Sequence, residues 1–293
     1  MRIGAFEVQV NLAECNEPYV IATLNPWLDV NGIGTAVLRE LSKRYNGVEI
    51  ARLFRPGDFY DFTRYRPTIH IDEGIQEVKI PNTVIRLVKQ GAHDFLLIRM
   101  LEPHAGAEGY ISSLLKVFKS LGVKKYILLG SMYDTVPHTK PLLVSGYGAG
   151  ESIASEMKKA GLLPISYKGP SSIVNLVAKE AATAGIEVIV LIVSVPQYVV
   201  LDEDRIGKVR LMEVLNTLYN IPLDKEDFEK ALQQRESINE RLSTSAELRL
   251  LLPQLENIYD SRIKRIQSET GVPLEPEMEE LLWKIAGKDV GKA

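Results

Sequence analysis

The sequence predicts an α/β fold, an open and mostly parallel sheet covered by helices on both faces, followed by a helical C-terminal segment. Three observations carry this. Glu187–Val193 is almost wholly apolar, and such strands need cover on both faces. Apolar runs alternate with helical patterns across the first two thirds of the chain. From about residue 222 the pattern becomes heptad-like, with apolar spacing through Phe228–Leu242 and Leu248–Ile266.

The elements follow in order. Phe6, Val8 and Val10 alternate with polar neighbours, and Tyr19–Leu24 is a second strand that stops at Asn25-Pro26, because proline has no amide to donate. Gly32–Arg44 is a helix with Val37, Leu38 and Leu41 on its apolar face, and Val48–Phe54 returns to strand. Residues 56–67, PGDFYDFTRYRP, form a loop packed by its own aromatics, with a ligand groove as the alternative. Short β runs follow at 68–71 and 75–80. Residues 83–88 and 94–100 read as paired strands, although 84–90 also fits a short helix.

Ala105–Ser120 is a helix ending before Leu121-Gly122, where glycine suits a left-handed terminus. Lys125–Leu129 is a buried strand. Helices are expected at Glu151–Ala160 and from Pro170 to Ala184, each stopped by glycine. The predicted domains are a core over 1–222 and a helical extension over 223–293, the latter including a helix at Glu277–Ile285. Residues 224–293 hold 11 Lys plus Arg against 15 Asp plus Glu, while 1–223 hold 24 against 23. The acidic surplus belongs to the extension, where it marks a solvated helix face.

Composition excludes several classes. The chain has 293 residues, 45% of them hydrophobic, and a formal charge of −3, which argues against a general nucleic-acid binder. Cys15 is the single cysteine, so neither an intramolecular disulfide nor a thiol zinc site is expected. No apolar run reaches the roughly 20 residues that span a bilayer, and MRIGAFEVQV lacks the layout of a secretion signal. A cytoplasmic protein without membrane, metal or cofactor is the expectation.

Chemistry concentrates in Leu128–Gly150. A buried strand empties into a loop carrying Ser131, Asp134, His138, Thr139 and Lys140, at the edge where open α/β sheets place ligands. His138 has the pKa range of a proton carrier, Lys140 suits an anion, and Pro137 and Pro141 restrict the path. The competing reading is a rigid loop organised by hydrogen bonds. Glu102 and His104 form a second candidate, an acid–base pair that would join the 131–141 loop if both strands end on one sheet edge; a turn with a capped helix at 105 competes.

Other motifs are poor. There is no G-x-S-x-G elbow and no Walker A sequence. Ser194 follows the strongest strand but reads as a turn or capping residue. Asn31-Gly32-Ile33-Gly34 lacks the final glycine of G-x-G-x-x-G, and Gly146–Gly150 is read as a flexible turn over a phosphate nest. His70 and Asp72 face one way along a strand, but two ligands make no metal site.

A set of landmarks adds a resemblance. Asn25-Pro26-Trp27 precedes Gly32–Leu41, then come Leu101-Glu102-Pro103, Gly130 through Val136-Pro137-His138-Thr139-Lys140-Pro141, Gly169-Pro170-Ser171-Ser172, and Val195-Pro196-Gln197-Tyr198. Over about residues 20–240 the chain resembles the PAC2 family, named after a proteasome assembly chaperone, and is closest in length to its long bacterial members. The resemblance implies a three-layer α/β/α core similar to purine nucleoside phosphorylases, and a homo-oligomer with a trimer as the favoured state. Two departures stand out. Ser172 replaces the glycine common after Gly-Pro-Ser in the family. The chain ends Val290-Gly291-Lys292-Ala293 without the penultimate tyrosine through which archaeal relatives dock on proteasomes. The function expected is a noncatalytic protein-interaction or assembly factor. The alternative is a small-molecule binder or enzyme centred on the 102–104 and 131–141 loops.

Overall fold

A computed structural model describes residues 1–9, 15–91, 93–165 and 167–270. In chain order it contains β1 (Arg2–Ile3), β2 (Phe6–Val8), β3 (Tyr19–Asn25), α1 (Ile33–Arg44), β4 (Val48–Leu53), β5 (Thr68–Asp72), β6 (Ile75–Lys79), β7 (Val84–Gln90), β8 (His93–Leu101) and α2 (Ala107–Leu121). There follow β9 (Lys125–Asp134), β10 (Val144–Ala149), α3 (Ile153–Lys159), β11 (Leu163–Pro164), α4 (Ile173–Thr183), β12 (Glu187–Pro196), α5 (Arg205–Tyr219), α6 (Lys225–Ser243) and α7 (Ala246–Thr270). The expected strand residue Val10 and the expected helix at 277–285 lie outside the described residues.

The chain divides into two compact units. The first holds 1–28, 38–128 and 168–189; the second holds 29–37, 129–167 and 190–293. β9 and β12 pass through both.

In the first unit the strand order is β1-β2-β4-β7-β8-β3-β9. The pairs β1–β2, β2–β4, β4–β7 and β7–β8 are antiparallel, whereas β8–β3 and β3–β9 are parallel. The expectation of a mostly parallel sheet is therefore corrected to a mixed one. The reason is local: β1–β2 and β7–β8 are joined by connections far too short for the crossover that parallel neighbours need, with Gly4 (φ 59°) and Gly91 (φ 66°) in the turns. The choice between strand and helix for 84–90 resolves to strand, with Ile85, Leu87 and Val88 buried.

α2 covers this unit with Tyr110, Leu114, Val117 and Phe118. It ends as its glycine predicts: Gly122 is left-handed, and Val123 N–H reaches the Phe118 carbonyl at 3.0 Å. The aromatic loop at 56–67 is a packing device. Tyr60 is buried and its hydroxyl meets Thr83 Oγ1, which also bonds the Tyr110 hydroxyl at 2.9 Å. Burial pushes the Tyr60 phenol up to about 12.

In the second unit β10 pairs in parallel with β11, and the strand order is β9-β12-β10-β11. Its core includes Leu191, Val193, Val209, Leu211, Met212 and Leu215. Two elements differ from expectation. The turn expected at Gly146–Gly150 is mostly strand β10, because Gly146 lies against the strand beside it: a Cβ there would stand 2.9 Å from the Val190 carbonyl oxygen. β9 also runs five residues beyond Leu129, so Ser131 and Asp134 stand on a strand and not in a loop. α5 went unread in the sequence, although Asp204 marks its start by accepting the Gly207 N–H at 2.8 Å. Among the described residues no helix is long and apolar enough to cross a membrane.

Candidate functional site

The second unit gathers most of the predicted polar residues, beginning at its strand ends. Ser131 is fully buried and donates to the Val30 carbonyl at 2.8 Å. Next to it, Asp29 accepts the Gly34 amide at 2.7 Å and Thr35 Oγ1 at 2.5 Å. Together with the Thr35 amide, which reaches the same carboxylate at 3.3 Å, these donors belong to the first turn of α1, the place where a phosphate would sit in a dinucleotide fold. Here a carboxylate of the chain itself holds it, so the Asn31–Gly34 glycines serve a capped helix start.

At the end of β9, Asp134 lies between two donors. Its Oδ2 accepts Ser194 Oγ at 2.8 Å and Arg262 Nη1 at 2.7 Å. Burial acts to raise this carboxyl, but the guanidinium and the hydroxyl outweigh it and hold it below the ordinary carboxylate range. Ser194 is thus a hydrogen-bond donor to a carboxylate whose basicity Arg262 reduces, an arrangement suited to a structural serine.

The VPHTKP segment is fastened residue by residue. His138 N–H donates to the Tyr198 hydroxyl at 2.9 Å, and Nδ1 of the same ring lies 2.8 Å from that oxygen. One hydroxyl can accept from the amide and donate to an unprotonated Nδ1. Burial, with Arg235 nearby, pulls the His138 pKa down, which keeps the ring neutral at physiological pH. Thr139 Oγ1 donates to Glu256 at 2.5 Å, and its carbonyl accepts Arg235 at 3.2 Å. Lys140 Nζ meets both oxygens of Asp260 at 3.0 and 3.1 Å. Tyr259 donates to the Pro141 carbonyl at 2.9 Å, and Arg210 to that of Leu142 at 3.0 Å.

Beneath these polar contacts, Val136, Leu143, Leu163, Tyr259 and Ile266 form one buried cluster. The space left beside His138, Lys140, Asp204 and Arg235 is a cavity of about 30 Å³. That accommodates a water or two, whereas ligand pockets run to hundreds of cubic ångströms.

Glu102 and His104 belong to the first unit, and each is used there. Glu102 accepts the Ile173 amide at 3.0 Å and so caps α4 from a distance. Ser172 occupies the N-cap position itself without a side-chain cap bond, in an extended conformation (φ −111°) that any residue adopts. Ser172 therefore introduces no backbone strain at this helix start. His104 Nδ1 accepts the Asp61 amide at 3.2 Å, and its ring lies 4.8 Å from that of Tyr65. No acid–base pair forms between Glu102 and His104 in these bonds.

Burial raises the Glu102 pKa above its ordinary value, outweighing the Ile173 amide. A raised carboxyl pKa makes the ionised form a cost to folding above that value, and the cost disappears in acid. Glu102→Gln, which keeps an acceptor for Ile173, is expected to match or slightly exceed the parent's stability at pH 7, with the difference vanishing near pH 4. Glu102→Ala loses the cap and is expected to cost about 1 kcal/mol. Denaturant melts at both pH values read the outcome.

Tyr198 stands in one of the landmark motifs, whereas the other partners, Arg235, Glu256, Tyr259, Asp260 and Arg262, carried no functional signal in the sequence reading. Glu256, Tyr259 and Asp260 recur at helical spacing on α7, a polar signal overlooked because only apolar spacing was followed. Among the described residues no group of His, Cys, Asp and Glu is arranged to hold a metal ion.

The geometry defines an α/β protein whose ordered polar loop is filled by its own C-terminal helices. Comparison with known proteins places it: the PAC2 family profile matches residues 23–243, and the chain belongs to the PAC2 family. A PAC2 family protein from Streptomyces avermitilis is 25% identical, with a TM-score of 0.73 over 81% of this chain and 99% of that one. A proteasome-assembly chaperone homologue from Mycobacterium tuberculosis is 23% identical, with a TM-score of 0.71 over 78% and 98%. The archaeal proteasome activator PbaB from Pyrococcus furiosus shares the fold at 14% identity, with a TM-score of 0.62 over 82% and 99%. No curated protein is similar enough to count as a match.

Proposed function

We propose that this chain is a noncatalytic protein-interaction or assembly factor, with residues 223–293 acting as a helical extension seated on the core. The observation that supports it is the occupancy of the loop. Asp134, His138, Thr139 and Lys140 are each bonded within the chain, and the cavity of about 30 Å³ beside the loop is far smaller than a substrate pocket. The assembly role is suggested by the M. tuberculosis and P. furiosus relatives, whose roles are stated for those proteins. The contact is assigned to a helix face of this extension.

That face is the outer side of α7. Leu251 (44% exposed), Ile258 (51% exposed) and Arg265 recur every seven residues, giving a stripe suited to a partner's groove or helix. Purified chain carrying an affinity tag should retain one reproducible partner from a lysate of its source organism. Leu251→Arg combined with Ile258→Arg should lose that partner while melting within a degree or two of the parent. No partner for either form, or a partner indifferent to the double substitution, overturns the assignment.

A further inference from the structure

α7 carries two seams. Leu255, Tyr259 and Ile266 belong to the buried one. On the other side Leu251, Gln254, Ile258, Ser261 and Arg265 recur at spacings of three and four, the a and d positions of a heptad, and all five are exposed. This outer seam is graded along its length. Leu251 and Ile258 make its first part aliphatic, whereas Asn257, Ser261, Arg262 and Arg265 line a groove with Ile258 that is polar and basic towards the C-terminal end of the helix. An occupant that fits it is apolar where the seam is aliphatic and acidic where the seam is basic.

The sequence that follows α7 has this grading. Gly271 stands directly after the last residue of α7, and Pro273 follows it, the residues that stop a helix and let the chain turn. Leu274, Met278, Leu281 and Ile285 then repeat the spacing of an a/d seam, and Glu275, Glu277, Glu279 and Glu280 crowd its first part. In an antiparallel helical hairpin the short turn sets the register. Equal steps back and forward from Gly271 set Arg265 against Glu277, Arg262 against Glu280, and Ile258 between Leu281 and Ile285. Charge and apolar surface therefore match in one and the same register.

We propose that residues 274–286 fold back within the same chain as an antiparallel cover on the outer seam of α7. A partner that docks on Ile258 must displace this cover, so the segment sets the threshold for binding. The inference rests on the reading of the α7 face as the partner surface and adds its regulation.

Hydrogen exchange over residues 274–286 of the full chain, with no partner present, tests it. A lone helix of this length is marginal in water, so lasting protection of these amides requires a docked face. The parent should protect them to the same degree at every protein concentration. Ile258→Arg should speed their exchange at least about tenfold through loss of a buried aliphatic contact, while the melting temperature stays that of the parent. Arg265→Glu and Glu277→Arg should each speed exchange about threefold, and the two combined should recover the parent's protection. Rapid exchange in the parent, protection indifferent to Ile258→Arg, protection that grows with protein concentration, or a charge swap without recovery contradicts the proposal and leaves the seam to the foreign partner alone. The converse result is distinct: expected exchange in a chain that captures no partner upholds the cover and overturns only the partner reading.

Discussion

Tyr259→Ala is expected to be the most damaging single change in the C-terminal helices, costing about 3–5 kcal/mol, the range for removing a buried aromatic ring. Tyr259 is 7% exposed and joins two kinds of contact. Its ring completes the cluster of Val136, Leu143, Leu163 and Ile266, and its hydroxyl donates to the Pro141 carbonyl. The alanine leaves a cavity between α7 and the loop and strips a hydrogen bond from a carbonyl. Tyr259→Phe keeps the ring and loses only the bond, so about 1 kcal/mol is expected. Urea melts of the three proteins separate the contributions. A loss below 1 kcal/mol for the alanine variant would mean that α7 is not fastened to the loop.

Arg262→Ala should rank second, at about 2 kcal/mol. The pair with Asp134 is 29% and 28% exposed, between the small value of a surface pair and the 3–5 kcal/mol of a broken buried one. Ser194 remains as a donor and limits the damage. The pH dependence follows from the sign of the shift. The folded Asp134 carboxyl titrates below its unfolded value, so its contribution is present above about pH 4 and is lost as pH falls through the folded value. The stability gap between parent and Arg262→Ala should therefore be full at pH 6–7 and close towards pH 3. A gap that is constant with pH would assign the effect to packing of the arginine stem.

The sequence carried the fold wherever one rule dominated. Gly122 and Pro26 act through backbone geometry and end their elements within a residue of where expected, and the apolar run of β12 is a buried strand that continues three residues past Val193 to Pro196. The mixed sheet was harder to see because β8 is apolar on both faces, as parallel strands are, with Phe95, Leu96, Leu97 and Ile98 all buried. Only the brevity of the Gly91 turn betrays the antiparallel pairing of β7 and β8. Gly146 misled in the opposite direction: a run of glycines suggests a turn, whereas the one at 146 makes room for the Val190 carbonyl.

The site was legible in part. His138, Thr139 and Lys140 were singled out for their polarity and for the prolines around them, and they are ordered as a rigid loop should be. Sequence could not name the partners of Asp134, Thr139 and Lys140, because Arg262, Glu256 and Asp260 are more than a hundred residues away and reach these groups only through tertiary packing. The same polar inventory describes an open ligand site and a filled seat. What separates them is where α7 lies.

Hydrogen exchange across residues 135–143, compared between the parent and Tyr259→Ala/Arg262→Ala, tests this most directly. If the loop is a seat for α7, its amides are protected in the parent and exchange at least tenfold faster in the variant, while β3 and β8 are unchanged. Protection that survives loss of both contacts, or that rises when a small metabolite is added, would mean the loop holds a ligand site and would contradict the account.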